Sequence, residues 1–149
     1  MTIYIGADYR GRELKNKIIG YLENCNYEVI DPFSDDREVN DFTDFAFSVG
    51  EKVREDKNSL GILICDSGSG VCIAANKVKG IRCVRAATTQ DAFLGRDHDG
   101  ANILALGSEI TPEIDLVKDI IDTFINTPMP TLERRIKRFK QIEKYEEEN

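Results

Sequence analysis

Residues 61–77, GILICDSGSGVCIAANK, constrain the fold of this chain more than any other segment. An apolar run ends at Cys65 and breaks into a glycine-rich loop, and a helical pattern follows. This order predicts a buried strand whose loop turns backbone N–H groups toward one point, where an anion can bind. A thiol beside such a point can move a proton while the N–H groups stabilise charge that develops on oxygen. The segment therefore predicts an enzyme site.

The rest of the chain alternates short apolar runs with amphipathic helical stretches. The expected strands cover 3–8, 27–31, 60–65, 81–86 and 101–107, and the expected helices cover 11–24, 42–55, 71–78, 89–97 and 112–125. Alternation of this kind produces right-handed crossovers and a parallel sheet with helices on both faces. We therefore expect an α/β fold of the three-layer α/β/α, Rossmann-like type, with a five-stranded parallel sheet.

The last segment lies outside this alternation. In residues 131–146 the apolar positions Leu132, Ile136, Phe139 and Ile142 recur at helical spacing among charged residues. We expect an extra C-terminal helix that either is exchanged between subunits or packs on its own domain. With 149 residues, the chain has the length of one domain, 1–149.

Composition narrows the class of partner. A net charge of −7 argues against nucleic acid as a partner, and no apolar run approaches the roughly 20 residues that cross a bilayer. The chain starts directly with a strand pattern, so we expect a cytoplasmic protein that acts on a small molecule. The cysteines lack paired spacing and there is one histidine, so no zinc site is expected, and Cys25, Cys72 and Cys83 are expected to be reduced and mostly buried.

Ligands of open α/β sheets lie beyond the carboxyl ends of the strands. The residues directly after the predicted strands are Asp8, Tyr9, the 65–70 segment, 86–89, Gly107 and Ser108. We expect Asp8 and Cys65 to face one crevice. An acidic, polar loop over 32–40 is expected to border that crevice or to lie on the surface.

His98 is the only histidine and follows the fourth predicted helix. A lone histidine is more often a surface or structural residue than a catalytic one. However, the carbonyl end of a helix attracts the positively charged form of histidine, which could donate a proton to a sugar oxygen.

Several motifs together resemble one known family. They are Gly6-x-Asp8, the 61–70 block with Cys65, the run 73–77 leading to 80–82, Arg96-x-His98, and 102–107. In this order they are similar to the ribose-5-phosphate isomerase B and galactose-6-phosphate isomerase family over nearly the whole chain. The resemblance implies a dimer or tetramer with shared active sites that interconverts aldose and ketose phosphates through a cis-enediolate. It implies no metal and no cofactor.

The resemblance also implies roles for individual residues. Cys65 would be the base, His98 would assist ring opening, and Ser67 stands where the family commonly has threonine. The N–H groups of residues 67–70 would hold the enediolate oxygen, and a second subunit would complete the pocket. The implied substrate-binding residues are Asp8, Tyr9, Asp66, Gly68, Ser69, Gly70, Asp99, Asn102 and Arg135, with Asp8 on sugar hydroxyls and Asn102 supporting the loop around His98.

Departures from the family pattern concentrate where the substrate would be selected. The residues that differ are Tyr9 for histidine, Phe42 for tyrosine, Asp99 for asparagine, Glu109 for arginine, and Thr131 with Leu132 for an Arg-His pair. Arg135 remains as a matched arginine. Arg10, Arg12, Arg134 and Arg138 could compensate, although each is expected to be a solvated surface charge.

Asp66 follows the expected base where the family usually has glycine. A carboxylate there would disfavour a thiolate and repel an enediolate by about 1 kcal/mol or more unless it is paired or solvated. We expect Asp66 to point away, to bind a hydroxyl, or to mark a changed reaction in which a carboxylate moves the proton.

Three functions remain open from sequence. The first is an aldose–ketose isomerase acting on ribose 5-phosphate or a hexose 6-phosphate. The second is one subunit of a hetero-oligomeric galactose-6-phosphate isomerase, in which a partner supplies phosphate ligands that this chain lacks. The third is a sugar-phosphate or nucleotide binding module without catalysis, against which the presence of both Cys65 and His98 argues.

Overall fold

A computed structural model describes residues 1–33 and 41–149. Five strands form one parallel sheet in the order β2-β1-β3-β5-β4. The strands are β1 (Thr2–Ala7), β2 (Glu28–Ile30), β3 (Ser59–Cys65), β4 (Cys83–Arg85) and β5 (Ile103–Gly107). The predicted five-stranded parallel sheet is confirmed, although β2 and β4 are shorter than expected.

Helices connect the strands and cover both faces of the sheet. They are α1 (Arg12–Asn24), α2 (Phe42–Glu55), α3 (Ser69–Ala75), α4 (Thr89–Asp97), α5 (Ile114–Asn126) and α6 (Glu133–Glu148). The largest error in the predicted bounds is in α3, which spans 69–75 instead of 71–78, so it begins two residues earlier and ends three residues earlier than expected. The late predicted start came from placing both loop glycines before the helix, whereas the second of them, Gly70, lies inside its first turn.

The central strands are buried on both faces, and their side chains alternate between two apolar layers. All seven residues of β3 are buried. Ile62 and Ile64 pack on the side covered by α1, α4 and α5, whereas Leu63 and Cys65 pack on the side covered by α2 and α3. Burial of each such large side chain contributes about 1.5–3 kcal/mol to folding. Cys65 is therefore fixed in the α2–α3 layer by the pleat of β3.

Helix α4 runs from the carboxyl edge of the sheet back to the amino edge. It begins with a capping box in which the Thr88 hydroxyl accepts the Asp91 N–H at 3.1 Å and the Asp91 carboxylate accepts the Thr88 N–H at 3.1 Å. It ends at Asp97, with His98 as the C-cap residue, and β5 starts only at Ile103. The turn 98–102 therefore lies at the amino edge.

Helix α6 lies against its own domain through polar contacts and through the Phe139 ring, and none of its residues is buried. Glu143 pairs with Arg82 at 3.1 Å, and a Glu146 carboxylate oxygen accepts the Gly80 N–H at 2.8 Å. The side chains of Ile142 and Tyr145 remain exposed. Exchange of this helix between subunits therefore stays a prediction.

Two further sequence expectations concern the loop and the membrane. Most of the acidic loop predicted over 32–40 lies outside the described residues. Within residues 1–33 and 41–149, no helix has both the length and the apolar character needed to cross a membrane.

Candidate active site

The first part of the site lies where β3 ends at the carboxyl edge. The Sγ atom of Cys65 accepts a hydrogen bond from the Gly68 backbone N–H at 3.2 Å, so the sulfur points into the glycine-rich loop as predicted. Only 6% of Cys65 is exposed, so little water reaches it in this chain.

The glycine loop is held in place by its neighbours as well as by its own bonds. Gly68 has a φ of +80°, a backbone conformation that glycine adopts readily. It also lies against the end of β5, where an added Cβ would be 3.0 Å from the Leu106 carbonyl carbon. Arg85, at the end of β4, donates from Nε to the Ser67 carbonyl at 2.6 Å. Sequence analysis did not identify Arg85 as a loop-holding residue, because the pairing depends on how the strands are ordered.

Two of the four loop N–H groups predicted to hold an anion already have partners within the loop. Gly68 donates to the Cys65 sulfur, and Ser69 donates to the Ser67 hydroxyl at 3.2 Å. The ring of Phe42 lies beside Gly70, 3.1 Å from the position that a Cβ would take. A substrate oxygen that binds at this loop would share these two N–H donors with the Cys65 sulfur and the Ser67 hydroxyl. The same two side chains therefore hold the N–H groups in place before a substrate binds.

Asp8 and Tyr9 also lie at the carboxyl edge, directly after β1. The Oδ1 atom of Asp8 accepts the Gly11 N–H at 3.0 Å and so shapes the turn into α1. The Tyr9 hydroxyl accepts a hydrogen bond from Arg10 Nε at 3.0 Å, and Tyr9 is 66% exposed. Asp8 therefore has a structural partner on one carboxylate oxygen, and Tyr9 stands at the surface of the crevice.

Asp66 points toward Arg10 and forms an ion pair with it through Oδ2. Hydrogen bonds to Tyr9 and then Asp66 raise the pKa of the Arg10 guanidinium, so the arginine remains charged. The other carboxylate oxygen, Oδ1, is buried and has no hydrogen-bond partner among the described residues. Pairing, the condition under which sequence analysis expected the Asp66 charge to do no harm, is found with Arg10, and the other carboxylate oxygen remains as an acceptor.

A cavity of about 240 Å³ adjoins this ion pair. Arg10, Lys17, Ser108 and Glu109 are among its lining residues. Its floor is tied to the glycine loop, because the N–H groups of Ser108 and Glu109 donate to the carbonyls of Cys65 and Asp66 at 2.9 and 3.0 Å. Glu109, which stands where the family pattern has arginine, therefore faces the same cavity as Arg10.

The remaining predicted residues lie at the amino edge. His98 is half-exposed, and its Nε2 is 3.7 Å from the Asp97 carboxylate. The same carboxylate pairs with Arg135 at the start of α6, and Arg135 also donates to the Asp97 carbonyl at 3.4 Å. Asp99 is exposed in the following turn. His98, Asp97 and Arg135 thus form one charged cluster, which we call the amino-edge cluster.

Asn102 supports the loop before β4. Its amide oxygen accepts the Arg82 N–H at 2.8 Å, and its amide nitrogen donates to the Gly80 carbonyl at 2.9 Å. Arg82 in turn donates to the Gly100 carbonyl at 2.8 Å and lies over the Phe139 ring. Asn102 therefore acts on the turn after His98 through Arg82, which sequence analysis did not single out.

Arg96 fixes the same turn from inside the protein. It is 8% exposed and donates to the carbonyls of Ala101 at 2.7 Å and Thr127 at 3.1 Å. Burial, and then the nearby charge of Arg82, lower the pKa of its guanidinium. In the Arg96-x-His98 motif, a buried arginine that holds the turn is thus followed two residues later by a half-exposed histidine.

One chain does not bring the two parts of the site together. Cys65 and Asp8 follow the carboxyl ends of strands, whereas His98 and Arg135 lie at the edge where strands begin. The five residues of β5 alone separate these edges by roughly 17 Å, at about 3.3 Å per residue. A reaction that needs both Cys65 and His98 therefore needs two copies of the chain.

The structure was also searched for residues that could hold a metal. Across the described ranges, no group of three or more histidine, cysteine, aspartate or glutamate side chains is arranged to bind a metal ion.

Comparison with known proteins identifies the family. The sequence pattern of the family described as Ribose/Galactose Isomerase matches residues 3–142. The probable ribose-5-phosphate isomerase B of Mycoplasma pneumoniae is 40% identical over 147 residues, which are 98% of this chain and 95% of that protein.

Solved structures agree with this result. The ribose-5-phosphate isomerase B of Clostridium thermocellum superposes with a TM-score of 0.91 at 38% identity, covering 99% of both chains. The Mycoplasma genitalium ribose-5-phosphate isomerase B, solved with bound ribulose 5-phosphate, gives a TM-score of 0.90 at 36% identity and covers 99% of this chain and 97% of that one. The family suggested by the motifs is thereby confirmed: the chain belongs to the ribose/galactose isomerase family of enzymes.

Proposed function

We propose that this protein interconverts ribose 5-phosphate and ribulose 5-phosphate through a cis-enediolate, with Cys65 as the base. The observation that carries the proposal is the Cys65 sulfur at the end of β3, in contact with a loop N–H group. The bound ribulose 5-phosphate of the Mycoplasma genitalium relative supports the choice of pentose phosphate.

In the proposed reaction, the Cys65 thiolate takes the proton from C2 of the open-chain aldose. The electron pair of the broken C–H bond forms the C1–C2 double bond, and the former aldehyde oxygen becomes the negatively charged enediolate oxygen. The same sulfur then returns the proton to C1, the hydroxyl proton on the C2 oxygen passes to the C1 oxygen, and the C2 oxygen becomes a carbonyl. Because one base serves both carbons on one face, no second base is required.

The loop of residues 67–70 is proposed to stabilise the enediolate oxygen. Backbone N–H groups that are already fixed need no reorganisation when charge develops, which is the main source of electrostatic catalysis. The positive φ of Gly68 and the bond from Arg85 to Ser67 support this role, since both hold the loop before substrate arrives. Ser67, whose hydroxyl accepts the Ser69 N–H, would contact the same substrate oxygens, with Gly68, Ser69 and Gly70 lining the loop.

We propose that the complete site forms in a homodimer or a larger homo-oligomer. The amino-edge cluster of one subunit would meet the carboxyl edge of another, so that His98 protonates the ring oxygen and opens the furanose. Arg135 and Asp99 would then contact the far end of the substrate. Support comes from the separation of the two edges within one chain and from the exposed apolar side chains of α6.

Asp8 and Asp66 are proposed to bind sugar hydroxyls at the carboxyl edge, with Tyr9 at its rim. The unpartnered Oδ1 of Asp66 is suited to accept a hydrogen bond from a sugar hydroxyl, while Arg10 balances the charge on Oδ2. This arrangement supports a thiol base over a carboxylate base, because the Asp66 carboxylate is directed at Arg10.

Glu109 favours one alternative substrate assignment. A carboxylate in the cavity beside Arg10 would repel a phosphate, as expected if a companion chain supplied the phosphate ligands. The alternative is one subunit of a hetero-oligomeric galactose-6-phosphate isomerase.

A turnover assay on the purified chain decides between these functions. Ribose 5-phosphate, allose 6-phosphate and galactose 6-phosphate are supplied in turn, and the subunit number is measured by light scattering. We expect turnover of ribose 5-phosphate by an oligomer of this chain alone. Activity that appears only with galactose 6-phosphate and a companion chain would favour the alternative, and binding without turnover of any sugar would indicate a non-catalytic module.

A further inference from the structure

Two cysteines that the proposed isomerisation does not use lie together beside the glycine loop. Cys72 is in the middle of α3, and Cys83 begins β4. The Cys72 thiol donates a hydrogen bond to the Cys83 carbonyl at 3.4 Å. Sequence analysis expected buried thiols here, but both residues are only half-buried, and the third cysteine of that group, Cys25, is exposed.

Asn76 holds this pair in register. Its amide oxygen accepts the Cys83 N–H at 2.7 Å, while its amide nitrogen donates to the Cys83 carbonyl at 3.0 Å and contacts Cys72 Sγ at 3.6 Å. Asn76 therefore bonds to both cysteine residues and ties the end of α3 to the start of β4.

The two thiols differ in acidity. The hydrogen bond from Cys83, together with the backbone N–H and the charge of Arg85, lowers the pKa of Cys72 to about 7. The same hydrogen bond, and then burial, raise the pKa of Cys83 well above its ordinary value. A thiol that ionises near neutral pH next to one that stays protonated is the arrangement of a nucleophilic cysteine and a resolving cysteine.

We propose that Cys72 and Cys83 are a modification site, at which hydrogen peroxide converts the two thiols into a reversible disulfide. In the first step the Cys72 thiolate attacks one peroxide oxygen, the O–O bond breaks, and the sulfenic acid and water are formed once a proton is taken up. In the second step the Cys83 sulfur attacks the Cys72 sulfur, the S–O bond breaks, and a second water leaves. Peroxide is reduced by two electrons and the two thiols are oxidised by two.

The position of this pair connects it to the active site. Arg85 lies two residues after Cys83 on β4 and already holds the Ser67 carbonyl, while Cys72 lies two residues after Gly70. A disulfide would add a covalent link between β4 and α3 alongside that hydrogen bond. We expect the link to raise the melting temperature of the oxidised protein.

The test maps the products of peroxide treatment. Trypsin alone leaves Cys65 and Cys72 in one peptide, residues 58–77, so a second protease that cuts before Asp66 is needed to separate them. We expect the 66–77 peptide linked to the 83–85 peptide, the loss of two of the four free thiols, and full recovery of both with dithiothreitol. A Cys72 sulfinic acid without the link, a link to Cys25 or Cys65 instead, or four unchanged thiols would overturn the proposal.

Matched variants complete the experiment. Cys72→Ser and Cys83→Ser are each expected to abolish the linked peptide, whereas Cys25→Ser, which removes the exposed thiol, is expected to leave it unchanged. If Cys83→Ser does not fold, Cys83→Ala removes the resolving sulfur without placing a hydroxyl in the same space. A linked peptide that persists in either Cys83 variant would contradict the assignment.

Discussion

The two edges of the sheet carry parts of the site that are built in different ways. At the carboxyl edge, backbone groups dominate: the Cys65 sulfur accepts a loop N–H, and the loop itself rests on the end of β5. At the amino edge, charged side chains dominate: Asp97 pairs with Arg135, and Arg82 pairs with Glu143. Both ion pairs link the sheet domain to α6.

This difference indicates how each edge depends on the rest of the molecule. The carboxyl edge is fixed within one chain, by β3, its loop and α3 together with the end of β5 and Arg85 of β4. The amino-edge cluster depends on a helix with no buried residue, so a neighbouring subunit that covers α6 would order it further. In the proposed reaction, the carboxyl edge of one subunit meets the amino-edge cluster of the other.

Removal of the base at the carboxyl edge should have the largest effect. Cys65→Ala is expected to lower kcat by about 10³–10⁴-fold, since positioned bases contribute up to about that factor. Steady-state assays with ribose 5-phosphate measure this, and calorimetry measures whether the substrate still binds. Cys25→Ala, which removes an exposed thiol on the end of α1, is the matched control and should retain wild-type turnover. Near-normal activity of Cys65→Ala would rule out the thiol base.

Removal of the histidine at the amino edge should have a smaller effect. His98→Ala is expected to lower turnover of cyclic ribose 5-phosphate by about 10²-fold, because ring opening would lose its acid but proton transfer at carbon would remain. The reverse reaction from ribulose 5-phosphate, which has no furanose ring to open, should lose less. The comparison is made on kcat, because a fixed equilibrium constant makes the loss of kcat/KM equal in both directions. Equal losses of kcat would contradict a ring-opening role.

Mixing the two inactive variants tests whether the edges of different subunits meet. In a mixed dimer of Cys65→Ala and His98→Ala chains, one site contains both mutations and the other contains neither. Random mixing should therefore restore activity to about a quarter of the wild-type level. If each site were built from a single chain, mixing would restore nothing. The measurement requires subunit exchange, which light scattering of differently tagged chains can follow.

A change in the backbone of the glycine loop should have an intermediate effect. Gly68→Ala forces a Cβ onto a residue with φ of +80° and places it 3.0 Å from the Leu106 carbonyl carbon. We expect unfolding free energy to fall by about 1–2 kcal/mol and kcat to fall by about 10-fold as the loop N–H groups shift. Chemical denaturation and steady-state kinetics measure the two quantities.

Gly20→Ala is the control for this substitution. Gly20 lies within α1, and an added Cβ there meets nothing within 4 Å. Alanine should stabilise the helix by up to about 1 kcal/mol and leave the kinetics unchanged. If both variants behaved alike, the loop geometry would have no special role.

The two edges also differ in how far sequence could predict them. The position of Cys65 followed from the pattern of β3, because a buried strand that ends in a glycine turn fixes where the next side chain lies. The location of His98 before β5 could be predicted in the same way. Its cluster with Arg135 could not, since the contact that forms the cluster, between Asp97 and Arg135, joins residues 38 positions apart. The pairings of Arg85 with Ser67 and of Arg10 with Asp66 were missed for the same reason: they depend on strand order and on the packing of α1, which periodicity does not encode.

The smallest expected effect concerns the Arg10–Asp66 pair, which tests whether the carboxyl edge also depends on side-chain charge. Both side chains are partly exposed, so solvent screens the ion pair and the coupling between them should be weak. Arg10→Ala is expected to raise KM for ribose 5-phosphate by no more than about fivefold, because it leaves the Asp66 charge unbalanced beside the substrate. Asp66→Asn in the same chain should reverse part of that increase, since the charge is removed while an amide oxygen can still accept a hydrogen bond from a hydroxyl.

The control for the general loss of positive charge is Arg12→Ala, which removes an exposed arginine at the start of α1. If Asp66→Asn instead lowered kcat as severely as Cys65→Ala, the carboxylate would be the proton-transfer group, and the carboxyl edge would depend on a side-chain charge as the amino edge does.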